Sequence, residues 1–172
     1  MNKKIVFIFC AFLFSSGLWA QQAVSIYDTQ ADPAKDLAVA LKKAATNGKH
    51  IFIKVGGNWC PWCIKFHKFV EENKALDSLV KANYEMILVN YSQENENIAF
   101  LSQYNFPQRF GYPVFLFLDA KGKLLHTQDS EYLEEGKNYS EEKVTRMFRM
   151  WSPVTIKQAT EKYAKPTWRK KK

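Results

Sequence analysis

The sequence predicts an α/β domain built on a mixed β-sheet with helices on both faces. Three observations predict it. Short apolar runs at 50–55, 85–91 and 114–118 are separated by stretches of helical periodicity, the pattern of strands paired in parallel through helical crossovers. The third run leads through a four-residue turn, Asp119–Gly122, into another run at 123–127, which makes an antiparallel hairpin. The length of 172 residues suits one domain with a sizeable core and is too short for two.

Each element has a local reason. Residues 21–31 are polar and read as an irregular extension with a short strand around Val24–Tyr27. Asp32-Pro33 supplies an N-cap and a first-turn proline, Leu37, Leu41 and Ala44 or Ala45 recur at helical spacing, and Asn47-Gly48 stops the helix. His50–Val55 is an apolar strand ended by Gly56-Gly57. Ile64, Phe66, Phe69 and Val70 then repeat with helical period behind Pro61, and a short helix covers 74–82. After the strand at 85–91 a helix is expected over 97–104. The acidic stretch 129–135 reads as a loop, longer than a minimal fold of this kind needs. Ser140-Glu141-Glu142 opens an amphipathic helix through Val144, Met147, Phe148 and Trp151, which Ser152-Pro153 breaks before a short helical extension. Phe66, Phe69, Phe100, Phe106, Phe110, Phe115 and Phe117 are expected in the core rather than around a cofactor.

Apolar residues at 47% and charged residues at 24% exclude wholesale disorder, and seven glycines and six prolines exclude a collagenous chain. The net charge of +8 is not spread over the body. Lys3, Lys4 and the five bases of 165–172 stand without acids, and the remaining 18 bases face 17 acids. A nucleic-acid footprint needs basic residues across a folded face, so no nucleic-acid partner is expected. The basic tail with Trp168 is expected to be solvated; contact with an anionic membrane surface is the less favoured alternative.

Lys3 and Lys4 precede a ten-residue apolar run, Ile5–Phe14, followed by small residues, the arrangement of a secretory signal peptide. Ten residues are too few to span a bilayer. Cleavage is expected near Ala20, giving an exported chain, periplasmic or secreted, with a domain over 32–164. Two cysteines then remain, Cys60 and Cys63, in a compartment that tolerates disulfides. A bridge between them closes too small a loop to restrain the unfolded chain, so the pair needs a purpose other than stapling.

Cys60-Pro61-Trp62-Cys63 lies where an apolar strand gives way to a helix. The first turn of a helix presents unpaired N–H groups and the positive end of its dipole, which favour a thiolate at Cys60. Cys63 follows one turn later on the same side, suited to resolve a mixed disulfide. The same two thiols are also compatible with a non-catalytic binding protein, one holding a soft metal such as copper at the two thiolates, or with half a metal site in which His67 is a third ligand. Zinc normally takes four ligands and there is no second cysteine pair, so metal binding is the weaker alternative and His67 is read as a surface residue. His50 and His126 fall at strand positions without an evident partner.

Trp59-Cys60-Pro61-Trp62-Cys63 after an apolar strand, with Tyr112-Pro113 about 50 residues later, resembles the thioredoxin superfamily and is most similar to exported bacterial thioredoxin-like proteins. The likeness covers roughly 33–151. It implies a thioredoxin fold and a thiol–disulfide oxidoreductase, reductase or isomerase-like, in which Cys60 attacks and Cys63 resolves. It further implies that Pro113 is a cis-proline beside the cysteines, that Tyr112 offers backbone groups to a substrate peptide, and that Trp59 packs near the pair. No bound cofactor is implied, only protein disulfide substrates and a redox partner that recycles the cysteines. Lys54 stands where thioredoxins carry a buried aspartate six residues before the first cysteine. Desolvated, it would be a neutral base or a charge favouring thiolates; its long stem makes an ammonium turned out to solvent the expected arrangement. Pro61-Trp62 replaces the Gly-Pro of thioredoxins, so the redox poise does not carry over.

Overall fold

The structure, a computed structural model, describes residues 25–164. The expected signal peptide at 1–20 and the basic tail at 165–172 lie outside the described residues. Of the strand expected around Val24–Tyr27, residues 25–27 are in irregular backbone. Their hydrogen bonds go to a side chain, Asn58, and not to a neighbouring strand.

The first helix, α1 (Pro33–Asn47), begins where the Asp32 carboxylate accepts the N–H groups of Ala34 and Lys35 at 3.0 and 3.3 Å. It ends at Gly48, whose φ of 66° is one that glycine adopts without a Cβ penalty. Strand β1 (His50–Gly56) follows, then α2 (Pro61–Glu72), α3 (Lys74–Asn83) and β2 (Tyr84–Asn90). Asn73 caps α3 by accepting from Ala75 and Leu76. After α4 (Ile98–Ser102) and a 3₁₀ turn at Pro107–Phe110 come β3 (Val114–Leu118) and β4 (Leu124–Asp129). A second 3₁₀ turn, Ser130–Leu133, leads into β5 (Glu134–Glu135), β6 (Asn138–Tyr139), α5 (Glu141–Met150) and α6 (Pro153–Tyr163).

The main sheet has the order β2–β1–β3–β4. β1 and β2 are parallel, while β1 with β3 and β3 with β4 are antiparallel. The sheet is therefore mixed, although β3 runs opposite to the direction its helical connection suggested. The reason lies in α4. Its five residues span only about 7.5 Å, and the turns and 3₁₀ segment that make up the rest of the connection do not carry the chain back along the sheet. The connection stays at the end where β2 finishes, and β3 starts there with Val114 opposite Val55.

Alternation along the strands divides the core into two chemically different halves. Ile51, Ile53 and Val55 of β1, with Val114, Leu116 and Leu118 of β3, face α1 and α4 in a mainly aliphatic layer. Phe52, Phe115 and Phe117 face α2, α3 and α5 and meet Phe66, Tyr84 and Phe148 in an aromatic layer. Phe52 stands 5.0 Å from Phe148 and 5.4 Å from Phe115 between ring centres. Phe106 and Phe110, expected in the core, are instead exposed on either side of buried Pro107, because the 3₁₀ turn that begins there directs them outward.

The acidic stretch is not a plain loop. The 3₁₀ turn and the small β5–β6 hairpin bury Leu133 and Tyr139 in the aromatic layer, with β6 against α2. His50 and His126 both find Trp151. His50 Nδ1 lies 2.8 Å from its carbonyl oxygen, and the His126 ring stacks on the indole at 4.3 Å.

Candidate functional site

Where β1 ends, Gly56-Gly57-Asn58-Trp59 bridges to α2, and Cys60 is the N-cap residue of that helix. Cys60 Sγ accepts the Cys63 N–H at 3.1 Å, so the cap is formed by a sulfur. The two cysteines form a disulfide with a Cα–Cα distance of 5.2 Å. Both cysteines are buried, Cys60 at 4% exposed and Cys63 at 0%, with Cys60 at the helix start and Cys63 within its first turn. Pro61 occupies the first helical position, where its missing N–H leaves no gap in the ladder.

The walls are aromatic. Trp59 is 55% exposed, yet its ring is fixed, because Nε1 donates to the Tyr91 carbonyl at 2.7 Å and the indole meets Tyr112 edge-on at 5.2 Å. Tyr112 in turn stacks on Tyr91 at 5.2 Å. A Cβ on Gly57 would sit 2.7 Å from the indole Cδ1 and 2.8 Å from the Tyr91 oxygen, so only glycine lets this ring lie over the backbone. The Tyr112–Pro113 peptide bond is cis, and Tyr112 packs against the cysteine cluster. Trp62 is held from the other side. Tyr139 meets it edge-on at 5.3 Å and donates to its carbonyl at 3.3 Å, while Lys65 Nζ lies 4.1 Å from the indole centre. The hairpin grown from the acidic stretch thus supports the cysteine helix.

Lys54 departs from its expected arrangement. It is 1% exposed, and its ammonium does not reach bulk solvent. The strand decides this: alternation sends position 54 to the same face as Phe52, beneath α2, where the aromatic layer closes over the stem. Burial pushes its pKa down to about 7, opposed by the Glu71 carboxylate. Lys54, His67 and Glu71 line a cavity of about 280 Å³ between β1, β2, α2 and α3. His67 is more than a surface residue, since its Nε2 lies 3.1 Å from Glu71 Oε2. Burial first, and the Lys54 charge second, hold the imidazole below its ordinary pKa. His67 belongs to this cavity, which neither cysteine lines.

Two residues of the site were not visible as such in the sequence. Tyr27 packs against both cysteines, and Asn58 ties Tyr27's backbone down across 31 residues. A single aromatic in a polar extension and an asparagine between glycine and tryptophan carry no local signal for a contact this distant.

The sequence profile of the thioredoxin-like family matches residues 32–120. A disulfide bond reductase of Chlamydia pneumoniae, DsbH, is 28% identical over 78 residues, 41% of this chain and 45% of that protein, so the match spans less than half of the relative's length. Among solved structures, a disulphide isomerase from Xylella fastidiosa Temecula1 superposes with a TM-score of 0.65 at 21% identity, covering 73% of this chain and 95% of that one. A thioredoxin from Thermus thermophilus gives 0.51 at 20% identity, covering 72% and 86%. At these identities the structural likeness is one of fold. The family profile takes in more than half of the chain and both cysteines, and with the four-stranded mixed sheet and a cysteine pair opening its second helix, the chain belongs to the thioredoxin-like family.

Proposed function

We propose that the chain is an extracytoplasmic thiol–disulfide oxidoreductase acting on protein disulfides, as a reductase or isomerase. The observation that carries this is the asymmetry of the pair: Cys60 at the mouth of a helix N-terminus, and Cys63 sealed behind it. The helix dipole and the cap N–H favour a Cys60 thiolate. That thiolate attacks one sulfur of a substrate disulfide, forming a mixed disulfide and releasing the first substrate thiolate. Cys63, deprotonated, then attacks Cys60 Sγ, and the second substrate sulfur leaves with the electron pair. The substrate departs as a dithiol and the protein keeps the Cys60–Cys63 bond, which a dithiol partner reduces again. The pair itself carries the electrons, so the cycle needs no bound cofactor.

Lys54 supports the second step. With its pKa near 7 it is partly neutral at neutral pH, and packed against Tyr27, which also touches Cys63, it is the base this reading assigns to the Cys63 proton. The backbone at Tyr112-Pro113 lines the approach to Cys60 and docks an extended peptide, with the Trp59 ring beside it. The extracytoplasmic location rests on the signal-like pattern of residues 1–20. No helix among the described residues is long and apolar enough to cross a membrane.

The test is an equilibrium redox titration against dithiothreitol or glutathione, together with insulin-type disulfide reduction by Cys60→Ser and Cys63→Ser. A reversible two-electron couple, no turnover in Cys60→Ser and a trapped mixed disulfide in Cys63→Ser are expected. Turnover that survives in Cys60→Ser refutes the mechanism.

A further inference from the structure

The segment ahead of α1 places Tyr27 in the floor of the cysteine site, 1% exposed. It is docked with unusual care. Asn58 Oδ1 accepts the N–H groups of Ile26 and Tyr27 at 2.8 and 2.9 Å, and Nδ2 donates to the Tyr27 carbonyl at 2.8 Å and to Ser25 Oγ at 3.1 Å. Asn58 is two residues from Cys60, so the same short loop positions the nucleophile and the tyrosine. The Tyr27 hydroxyl and Cys63 Sγ border one small gap: a Cβ on Gly56 would collide with the sulfur and stand 2.8 Å from the hydroxyl oxygen.

In this disulfide form the Tyr27 hydroxyl is buried and has no hydrogen-bond partner among the described residues. A buried hydroxyl left unpaired is expensive, and native proteins rarely keep one without a reason. The hydroxyl makes no hydrogen bond to the disulfide sulfur beside it, whereas a thiolate, being charged, is a strong acceptor.

We infer that Tyr27 donates a hydrogen bond to the Cys63 sulfur once the pair is reduced, and thereby raises the reduction potential of the couple. This rests on the redox reading above. In the step concerned, a dithiol donor supplies two electrons and becomes a disulfide; the Cys60–Cys63 bond breaks, and Cys63 Sγ gains the electron pair that accepts the Tyr27 proton donor. The penalty of the unpaired hydroxyl falls on the oxidised form and the bond forms only in the reduced one, so both effects favour reduction. Lys54 Nζ lies 5.6 Å from the Tyr27 ring centre, so the hydroxyl and the ammonium belong to neighbouring parts of one buried region.

The test compares the full chain with Tyr27→Phe, which keeps the ring and removes only the hydroxyl, by redox titration in dithiothreitol buffers and by melting both redox forms. The reduced-to-oxidised ratio at a fixed buffer is expected to fall about tenfold, a potential about 30 mV more negative. Oxidised Tyr27→Phe should melt no lower than the parent, and the reduced variant should lose stability. An unchanged ratio, with both forms weakened equally, means that Tyr27 only packs and overturns the assignment; so does a ratio that rises. Should Tyr27→Phe not fold, Asn58→Ala, which frees the segment, must shift the ratio in the same direction, and no shift there overturns it as well. If the parent chain shows no reversible couple, the redox reading itself falls and takes this assignment with it.

Discussion

Lys54 of β1 lies beside Tyr27 with its ammonium 5.6 Å from the ring centre, and the carboxylate opposing its loss of charge, Glu71, is paired with His67 at 3.1 Å. A lysine has thus been buried with an aromatic face and a shared carboxylate for company, a costly arrangement in a small domain.

Its consequence for stability has a definite sign. Burial lowers the Lys54 pKa from 10.5 to about 7 in the folded chain. Below pH 7 both folded and unfolded chains hold the proton, and the full penalty of a buried charge applies. Between 7 and 10.5 the unfolded chain binds more protons, so stability rises with pH across that window. Lys54→Met should therefore stabilise the oxidised protein by about 1–4 kcal/mol below pH 7, with a gain that fades toward pH 10. Urea titrations of the disulfide form across this range, where neither Cys60 nor Cys63 titrates, measure it; a gain independent of pH contradicts it.

The same substitution should slow turnover. If Lys54 takes the Cys63 proton, Lys54→Met loses the limb of the pH–rate profile near 7 and about 10- to 100-fold in kcat for disulfide reduction, a typical worth for general base catalysis or somewhat below it. Stopped-flow release of substrate from the mixed disulfide isolates the step, and a parent-like profile in the variant removes Lys54 from the mechanism.

Gly56 is fixed by space. Its missing Cβ is the room that Cys63 Sγ and the Tyr27 hydroxyl occupy, so Gly56→Ala should destabilise both redox forms by about 1–3 kcal/mol. Chemical denaturation of oxidised and reduced protein measures this, and a loss within error of zero in either form would show that the floor relaxes freely.

Trp59 is anchored through Nε1 to Tyr91 although its ring is largely exposed. Trp59→Phe removes that bond, worth about 1 kcal/mol, and loosens the wall beside Cys60. KM for a peptide disulfide should rise roughly fivefold, with kcat and reduction potential unchanged. A shifted potential would instead tie the ring to the cysteines.

Tyr139 tests the hairpin. Its ring packs on Phe66 at 5.0 Å and on Trp62 at 5.3 Å. Tyr139→Ala should lose about 3–5 kcal/mol, as large-to-small changes at buried aromatics do. Tyr139→Phe, which keeps the ring and forfeits the hydroxyl with its 3.3 Å bond to the Trp62 carbonyl, should lose under about 1 kcal/mol. Equal losses would place the effect in the hydroxyl.

Local chemistry made much of this chain legible from its sequence. Asp32-Pro33 and Gly48 bound α1 because capping and positive φ are decided within a few residues. The apolar run at 114–118, short and followed by a tight turn, read as a buried strand, and the spacing of Cys60 and Cys63 behind a strand sets the pair at a helix mouth. Phe106 and Phe110 misled, because composition says that a residue is apolar and not which way a 3₁₀ turn points it. The acidic run at 129–135 looked like a loop, since two-residue strands carry no periodicity.

What the tertiary structure alone decided are the matters that depend on which face of β1 a residue meets and what covers it. Sequence spacing put Lys54 six residues before Cys60; only the closing of α2 over the aromatic face made it a buried lysine instead of a solvated one. The direction of β3 followed from where a short α4 left the chain. Tyr27 entered the site through an amide 31 residues away. Caps, turns and the cysteine motif are short-range and are written in neighbouring residues, whereas desolvation and long-range hydrogen bonds arise only when distant segments exclude water together.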